Sequence, residues 1–216
     1  MAATDTRTRI IRAVRRLAEK RTELPIDEIA RRARVSVQTI YSHFGSKRGL
    51  LMAAIDDMQR EVGLYEGFER VFSSPDGETA LRRMVNLTFD LWERGWPLVR
   101  FSLSARRIDK EVDLQLTEVD SMRRTHLWII CRRLEAESRL LAGVSPERAA
   151  DLAFTLSTPT VYEDLVLRRG WPAEQAASTQ IELIVSAAVD PLTPPVTDPP
   201  PDWAAFGMGG RPAGPS

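Results

Sequence analysis

The chain has 216 residues, of which 43% are apolar, so it can form one core domain and a small second module. Lys and Arg balance Asp and Glu at 30 each, yet residues 1–60 hold thirteen basic against seven acidic side chains. Such an excess indicates either a polyanion-binding domain or a solvated arginine-rich helix. The single Cys131 excludes an internal disulfide, and no apolar run suits a signal peptide or a membrane span, so we expect a cytoplasmic protein without membrane contact.

The first three predicted helices lie close together in the sequence. The first runs from about Thr6 to Arg21, and Pro25 suits the first turn of the second. Apolar stripes at helical spacing then cover residues 26–33 and 37–44, with only the three residues 34–36 between them. Two short amphipathic helices joined by so tight a turn predict a helix-turn-helix, whose second helix can lie in a DNA major groove.

The remaining pattern is helical as far as residue 189. Gly95 and Pro97 should break the chain after the fifth helix, and Pro159 should kink the eighth near Leu156. The predicted helices after the third cover about 47–65, 78–94, 98–106, 113–141, 146–169 and 173–189. We therefore expect an all-α protein of about nine helices, with an N-terminal three-helix helix-turn-helix domain and a C-terminal helical bundle. The predicted parts are residues 1–50, residues 51–189 with the fourth helix as the link, and a disordered Pro/Gly-rich tail at 190–216.

The second helix of the motif carries polar side chains that suit DNA. Gln38 and Thr39 stand off its apolar stripe, where glutamine can pair with adenine and threonine can contact a base edge. Tyr41 has a hydroxyl that can reach a phosphate, and Lys47 follows at the start of the next helix. Ser36 is well placed as the N-cap, and Gly45 as the end of the helix.

This stretch resembles the TetR family of bacterial transcriptional regulators. Its typed positions follow the family pattern without a gap from Ile29 to Leu50, as Ile29-Ala30, Val35-Ser36, Thr39-Ile40-Tyr41-Ser42-His43-Phe44 and Ser46-Lys47-Arg48-Gly49-Leu50. The resemblance implies the following DNA contacts: Ser36, Gln38, Thr39, Tyr41, His43 and Lys47. Where the family usually has glycine in the turn, this chain has Arg34, which either costs backbone energy or adds a phosphate contact.

The resemblance also implies that the C-terminal helices bind a small-molecule effector. These helices concentrate large side chains around a few polar groups, which suits a pocket for an apolar or aromatic molecule, although most such residues could equally form core. The candidate pocket residues are Met84, Phe89, Trp92, Trp96, Phe101, Met122, His126, Trp128, Phe154 and Tyr162.

Two late helices suggest a homodimer. A single recognition helix reads too few base pairs to be selective, whereas a symmetric pair can read a palindrome. Apolar faces of the two helices could form a four-helix interface about a two-fold axis, unless they pack within one chain. The candidate interface residues are Leu152, Leu156, Leu165, Ile181, Ile184, Val185 and Ala188.

No residue pattern supports catalysis, a metal or a cofactor. Two histidines and one cysteine cannot build a zinc cluster of Cys and His ligands, and no glycine-rich phosphate loop occurs. The sequence therefore favours a non-enzymatic regulator, most simply a repressor released from double-stranded DNA by its effector. Two alternatives remain open: a transcriptional activator, and a helical small-molecule-binding protein with a degenerate DNA-binding module.

Overall fold

The computed structural model describes residues 2–20 and 25–194, and within them the protein is built from helices. The only β pairing there is an isolated bridge between Leu140 and Val189. The helices are α1 (Ala2–Ala18), α2 (Ile26–Ala33), α3 (Val37–Phe44), α4 (Lys47–Glu61), α5 (Leu64–Phe72), α6 (Gly77–Arg106), α7 (Lys110–Ala136), α8 (Pro146–Leu156), α9 (Pro159–Tyr162), which continues as a π-helical segment (Glu163–Arg168), and α10 (Ala173–Ala188). The predicted all-α class is confirmed.

Helix boundaries differ from the sequence prediction at several places. The predicted break at Gly95 and Pro97 is wrong, because α6 runs through both residues. Gly95 is packed so closely against Met58 that a β-carbon there would lie 2.5 Å from the methionine sulfur. The helix thus continues through Pro97 although a proline removes one backbone hydrogen bond. Conversely, Gly63 at φ 75° separates α4 from α5, a break that the apolar pattern does not reveal.

The sequence predicted that Pro159 kinks the eighth helix, and this prediction is wrong. Pro159 instead begins helix α9. Helix α8 ends at Leu156, and Thr158 then caps α9 by accepting a hydrogen bond from the Val161 N–H. Pro159 occupies the first turn of α9, where a missing N–H costs nothing.

The described residues form two compact units. The first takes in those of Met1–Leu64 and Leu91–Val119, and the second those of Tyr65–Asp90 and Asp120–Ser216, so α6 and α7 contribute residues to both. The core of the first unit includes fully buried apolar side chains from α1 to α4: Ile10, Val14, Leu17, Ala18, Ile29, Ile40 and Leu50. The core of the second includes Leu81, Met84, Phe89, Ile130, Leu134 and Ile184.

Two arginines of α6 bind the carboxyl ends of other helices in the first unit. Arg94 donates to the carbonyl oxygens of Glu61 and Val62 at 3.0 and 2.9 Å, at the end of α4. Arg100 donates to those of Ala18 and Glu19 at 3.2 and 3.3 Å, at the end of α1. Both arginines satisfy carbonyl groups that a helix end leaves without intrahelical donors.

The predicted tail falls mostly outside the described residues. At its start, the Asp190 N–H donates to the Arg139 carbonyl oxygen at 2.7 Å, and the Asp190 carboxylate accepts from the Leu192 N–H and the Thr193 hydroxyl. The disorder of the tail stays a prediction. Residues 195–216 lie outside the described part of the chain.

Candidate nucleic-acid interface

Helices α2 and α3 form the predicted helix-turn-helix. Ile29 and Ala33 of α2 are buried together with Ile40 of α3, so the apolar stripes of both helices face the core of the first unit. The turn closes when the Val35 N–H donates to the Ala30 carbonyl oxygen at 3.0 Å. The opposite face of α3 is left for solvent or a partner.

Arg34 adopts the left-handed conformation that the turn requires, with φ 55° and ψ 50°. A non-glycine residue there costs about 1 kcal/mol. The backbone of the turn is therefore retained without the family's glycine. The Arg34 side chain is exposed, which keeps its charge available to a phosphate.

Ser36 caps α3 as predicted. Its Oγ accepts a hydrogen bond from the Thr39 N–H at 3.0 Å and lies 2.8 Å from the Thr39 Oγ1. Such a cap typically stabilises a helix by about 1 kcal/mol. The two hydroxyls thus bind each other at the amino end of α3, and any contact with DNA there would be shared with the cap.

The outward face of α3 carries the predicted reading residues. Gln38 and Ser42 are exposed, and Tyr41 is 43% exposed although it is large and partly apolar. Lys47 is exposed at the start of α4, whereas Thr39 and His43 are half-buried at the sides of α3. These side chains lie together on or beside one short helix, and their contacts with DNA stay predictions.

The carboxyl end of α3 and the first turn of α4 approach each other closely at Phe44 and Gly49. Gly45 ends α3 at φ 70°, and Ser46 caps α4 by accepting from the Gly49 N–H at 3.0 Å. A β-carbon on Gly49 would collide with the carbonyl oxygen of Phe44, which is backbone and cannot rotate away. Sequence reasoning did not identify Gly49 as a structural requirement of the motif.

Two arginines of the first unit form ion pairs with acidic side chains of the same unit. Arg15 of α1 forms ion pairs with Asp57 and Glu61 of α4, and its hydrogen bond lowers the pKa of Glu61. Arg32 forms a further pair with Glu28 at 2.9 Å. Arg15 and Arg32 are therefore held by carboxylates, but the basic excess of residues 1–60 is unchanged, since that count already includes Glu28 and Asp57.

The predicted effector residues are divided between the two units. Trp92, Trp96 and Phe101 belong to the first unit, and the other seven belong to the second. Met122 is 55% exposed, and its assignment to an effector pocket stays a prediction. Buried positions are occupied by Met84, Phe89, Phe101 and Tyr162, and half-buried positions by Trp92, Trp96, His126, Trp128 and Phe154.

Two aromatic clusters form within the second unit. The Phe89 and Tyr162 rings meet edge-on with centroids 6.2 Å apart, and both residues are buried. His126 meets Phe68 at 4.9 Å and Phe72 at 5.8 Å, and all three of these are half-buried. Phe68 and Phe72 lie on α5, which the sequence had not separated from α4 and the following turn, so they were missed.

Burial shifts the pKa of three side chains in the second unit, those of Arg123, His126 and Cys131. Burial lowers the pKa of His126, which favours its neutral form, and raises the pKa of the Cys131 thiol to about 12, which makes it a poor nucleophile. Burial also lowers the pKa of Arg123 to about 10, while its guanidinium lies 3.9 Å from the Phe154 ring centroid. In the described part of the chain, no three His, Cys, Asp or Glu side chains are grouped to hold a metal ion.

The predicted dimer residues of α10 are mostly core. Ile181, Ile184 and Ala188 are buried within their own chain, so the prediction that they form a surface is wrong. Helix α10 contacts α8 and the π-helical segment. Val185 is half-buried, as are the other three candidates, Leu152, Leu156 and Leu165.

The face of α10 that is exposed to solvent carries Leu183 and not the predicted interface residues Ile181, Ile184 and Ala188. Leu183 is 49% exposed there, and the residues beside it are three short hydroxyl side chains and Glu182. They leave a shallow depression of about 450 Å³ lined by Ser178, Thr179, Glu182, Leu183 and Ser186. Arg82 pairs with Glu182 at 2.6 Å along its edge.

Helices α2 and α3 form a helix-turn-helix, the arrangement in which DNA-binding proteins present a recognition helix. Residues 10–54 match the family model described as bacterial regulatory proteins, tetR family. This match covers the N-terminal helix-turn-helix region and not the rest of the chain. No helix in the described ranges combines the length and the apolar character needed to cross a bilayer.

Solved structures with the same fold cover most of the chain. FadR from Bacillus subtilis, in complex with stearoyl-CoA, is 19% identical with a TM-score of 0.69, over 83% of this chain and 98% of that one. NalD, the secondary repressor of the MexAB-OprM multidrug efflux pump in Pseudomonas aeruginosa, is 22% identical with a TM-score of 0.65, over 88% and 98%. A protein from Saccharomonospora viridis described as a transcriptional regulator, in complex with choline, is 20% identical with a TM-score of 0.64, over 87% and 99%. No curated protein is a significant match in sequence.

Proposed function

We propose that this protein is a repressor that binds a palindromic DNA operator as a dimer and is released by a small effector. The observation that carries the proposal is the outward face of α3, where Gln38, Tyr41 and Ser42 are exposed on a helix whose other face is locked into the core. A helix held in this way presents side chains to base edges at low entropic cost. Exposed Arg34 and Lys47 supply charge for the flanking phosphates.

The proposal is tested by selecting bound sequences from a random pool of double-stranded DNA. We expect enrichment of one palindrome whose half-site centres lie about 34–36 Å apart or a multiple of that spacing. Binding should also weaken steeply as salt rises. Binding without any enriched sequence would instead favour the alternative of a ligand-binding protein with a degenerate DNA module.

Two substitutions on α3 should have different effects on DNA recognition. Gln38→Ala should reduce the preference for the selected base at one position of each half-site by about 1–3 kcal/mol. Tyr41→Phe should weaken all sequences alike by about 1 kcal/mol, because it removes one hydroxyl from the phosphate backbone.

Competition gel shifts with single-base operator variants measure both effects. The control is Gln175→Ala, which removes the same side chain from an exposed position on α10. If all three variants match the wild-type protein, the assigned contacts of α3 are wrong.

The dimer is proposed to form through the outward face of α10 and not through its buried stripe. Leu183 would enter the partner's depression, since a two-fold axis places the same surface on both sides. The short side chains around it permit the close approach of a second helix. Half-buried Leu152 and Leu156 of α8 are proposed to border the same interface.

Leu183→Glu should convert the dimer into a monomer, because it buries an unpaired charge at the centre of the interface. We expect the dimer dissociation constant to rise at least about thirtyfold, corresponding to about 2 kcal/mol. Analytical ultracentrifugation measures the change, with Leu114→Glu on α7 as the control, since Leu114 is 57% exposed in the first unit. A wild-type protein that sediments at the chain mass of 24.3 kDa would contradict the proposed dimer.

The effector is proposed to bind among the aromatic residues of the second unit. His126, Phe68 and Phe72 combine apolar rings with one neutral imidazole and are accessible in part, as a ligand site requires. The similar proteins in complex with stearoyl-CoA and choline hold molecules of very different chemistry, so they support the binding of a small molecule without naming it or its site. Release would follow if the effector favours a dimer that is badly spaced for DNA.

A further inference from the structure

Arg7 of α1 lies over the carboxyl end of α3. Its guanidinium carbon is 4.8 Å from the centroid of the Phe44 ring, and its Nη1 donates to the carbonyl oxygen of His43 at 3.5 Å. Arg7 is exposed, whereas Phe44 is half-buried and supplies a firm platform. A cation from a different helix is thus held at the end of the predicted recognition helix.

This arrangement leaves most of the Arg7 guanidinium able to bind something else. A guanidinium has five N–H donors in one plane, and here the ring contact occupies one face and the His43 carbonyl takes one donor. The remaining donors have the planar geometry that matches phosphate oxygens. The negative end of the α3 dipole attracts the same cation and helps to hold it in this position.

If α3 lies in a DNA major groove, Arg7 at its carboxyl end would lie beside the wall of that groove. The major groove is about 12 Å wide, and a helix with its side chains is about 10–12 Å across. When α3 lies in the groove, a cation beside its end therefore meets the phosphate backbone and not a base edge. Lys47 approaches the same end of α3 from α4, so cations from two helices would flank it.

We propose that Arg7 contacts the DNA backbone and fixes the carboxyl end of α3 against one phosphate of each half-site. This inference rests on the proposed DNA-binding function. Arg7 precedes the segment 10–54 that matches the family model, so that match does not include it. The contact would be sequence-independent and would add to the salt dependence of binding.

The test measures the affinity for a duplex carrying the selected sequence, by fluorescence anisotropy over a series of KCl concentrations. Arg7→Ala and Arg7→Gln should each weaken binding about five- to tenfold at about 0.1 M salt. They should also reduce the slope of log affinity against log salt by about one for each phosphate that is no longer neutralised. Arg7→Gln keeps a long polar side chain near Phe44, and thermal melting of each variant reports its folding.

Arg148→Ala is the matched control, because Arg148 is an exposed arginine of α8 in the second unit and its removal changes the net charge equally. It should leave the slope unchanged. If both Arg7 variants keep the wild-type slope, or only match Arg148→Ala, then Arg7 merely supports Phe44 and the inference is overturned while the proposed function stands. If the wild-type protein binds no duplex, the proposed function itself fails, and this inference fails with it.

Discussion

Arg133→Met should lower the free energy of unfolding by about 3–5 kcal/mol, the largest loss that we expect from a single substitution in this protein. The Arg133 side chain is 1% exposed and donates to the carbonyl oxygens of Ser74 and Pro75 at 2.9 and 2.5 Å. It also donates to Glu137 at 2.6 Å. Methionine fills similar space but would leave these acceptors buried without their donors.

The damage should spread because Glu137 also caps α6. Both of its carboxylate oxygens accept from the Gly77 N–H, at 2.9 and 3.2 Å, at the first residue of that helix. Without Arg133 the carboxylate becomes an unpaired charge that is almost fully buried. The loop before α6 and the end of α7 would therefore loosen together.

Urea unfolding followed by circular dichroism measures this loss, and the neighbouring Arg132 provides the control. Arg132 is about half exposed and pairs with Glu135 at 3.3 Å, so Arg132→Ala should change the free energy of unfolding by less than about 1 kcal/mol. Equal losses in the two variants would show that the buried hydrogen bonds of Arg133 do not add to the free energy of unfolding beyond what an exposed arginine contributes.

Gly49→Ala should destabilise the first unit by about 1–3 kcal/mol and weaken DNA binding at least about tenfold. The new methyl group would collide with the Phe44 carbonyl oxygen, so either α3 or the start of α4 must move. That movement would displace the recognition helix relative to the rest of the motif. The better helix propensity of alanine, about 1 kcal/mol, offsets only part of the cost.

Gly95→Ala is the matched control in the same unit. A β-carbon at Gly95 meets the flexible end of the Met58 side chain and not backbone, so the methionine can give way. We expect its stability to change by less than about 1 kcal/mol, with DNA binding unaffected. Hydrogen exchange of peptides from α3 and α4, together with gel shifts, separates the variants, and a Gly49→Ala protein that exchanges and binds like Gly95→Ala would contradict the proposed clash.

The helix-turn-helix was predictable because its signals are local. The apolar stripes that bury Ile29, Ala33 and Ile40 recur at helical spacing within a few residues of one another. Ser36 and Ser46 cap helices that begin at the next residue, and each cap bonds an N–H only three residues ahead. Periodicity and capping act over such short distances that neither depends on the rest of the fold.

Other features depend on partners distant in the chain and could not be predicted in this way. A helix with apolar residues on two sides does not indicate which side finds a neighbour, so Ile184 was assigned to a surface and Leu183 was overlooked. Proline normally ends a helix, but the packing of Gly95 against Met58, a residue of the much earlier helix α4, accompanies an unbroken α6. Long-range packing here outweighs local preference.

The amino-acid sequence by itself determined the helical class, the turn between α2 and α3, and the polar face of α3, since each follows from spacing and caps within one or two turns. Only the tertiary structure decided that Met122 is exposed, that the Arg133 side chain holds the loop before α6, and that Arg7 rests on Phe44. Those outcomes require residues from separate helices and loops to meet, and their energies depend on burial and on donor geometry, which a linear pattern does not contain.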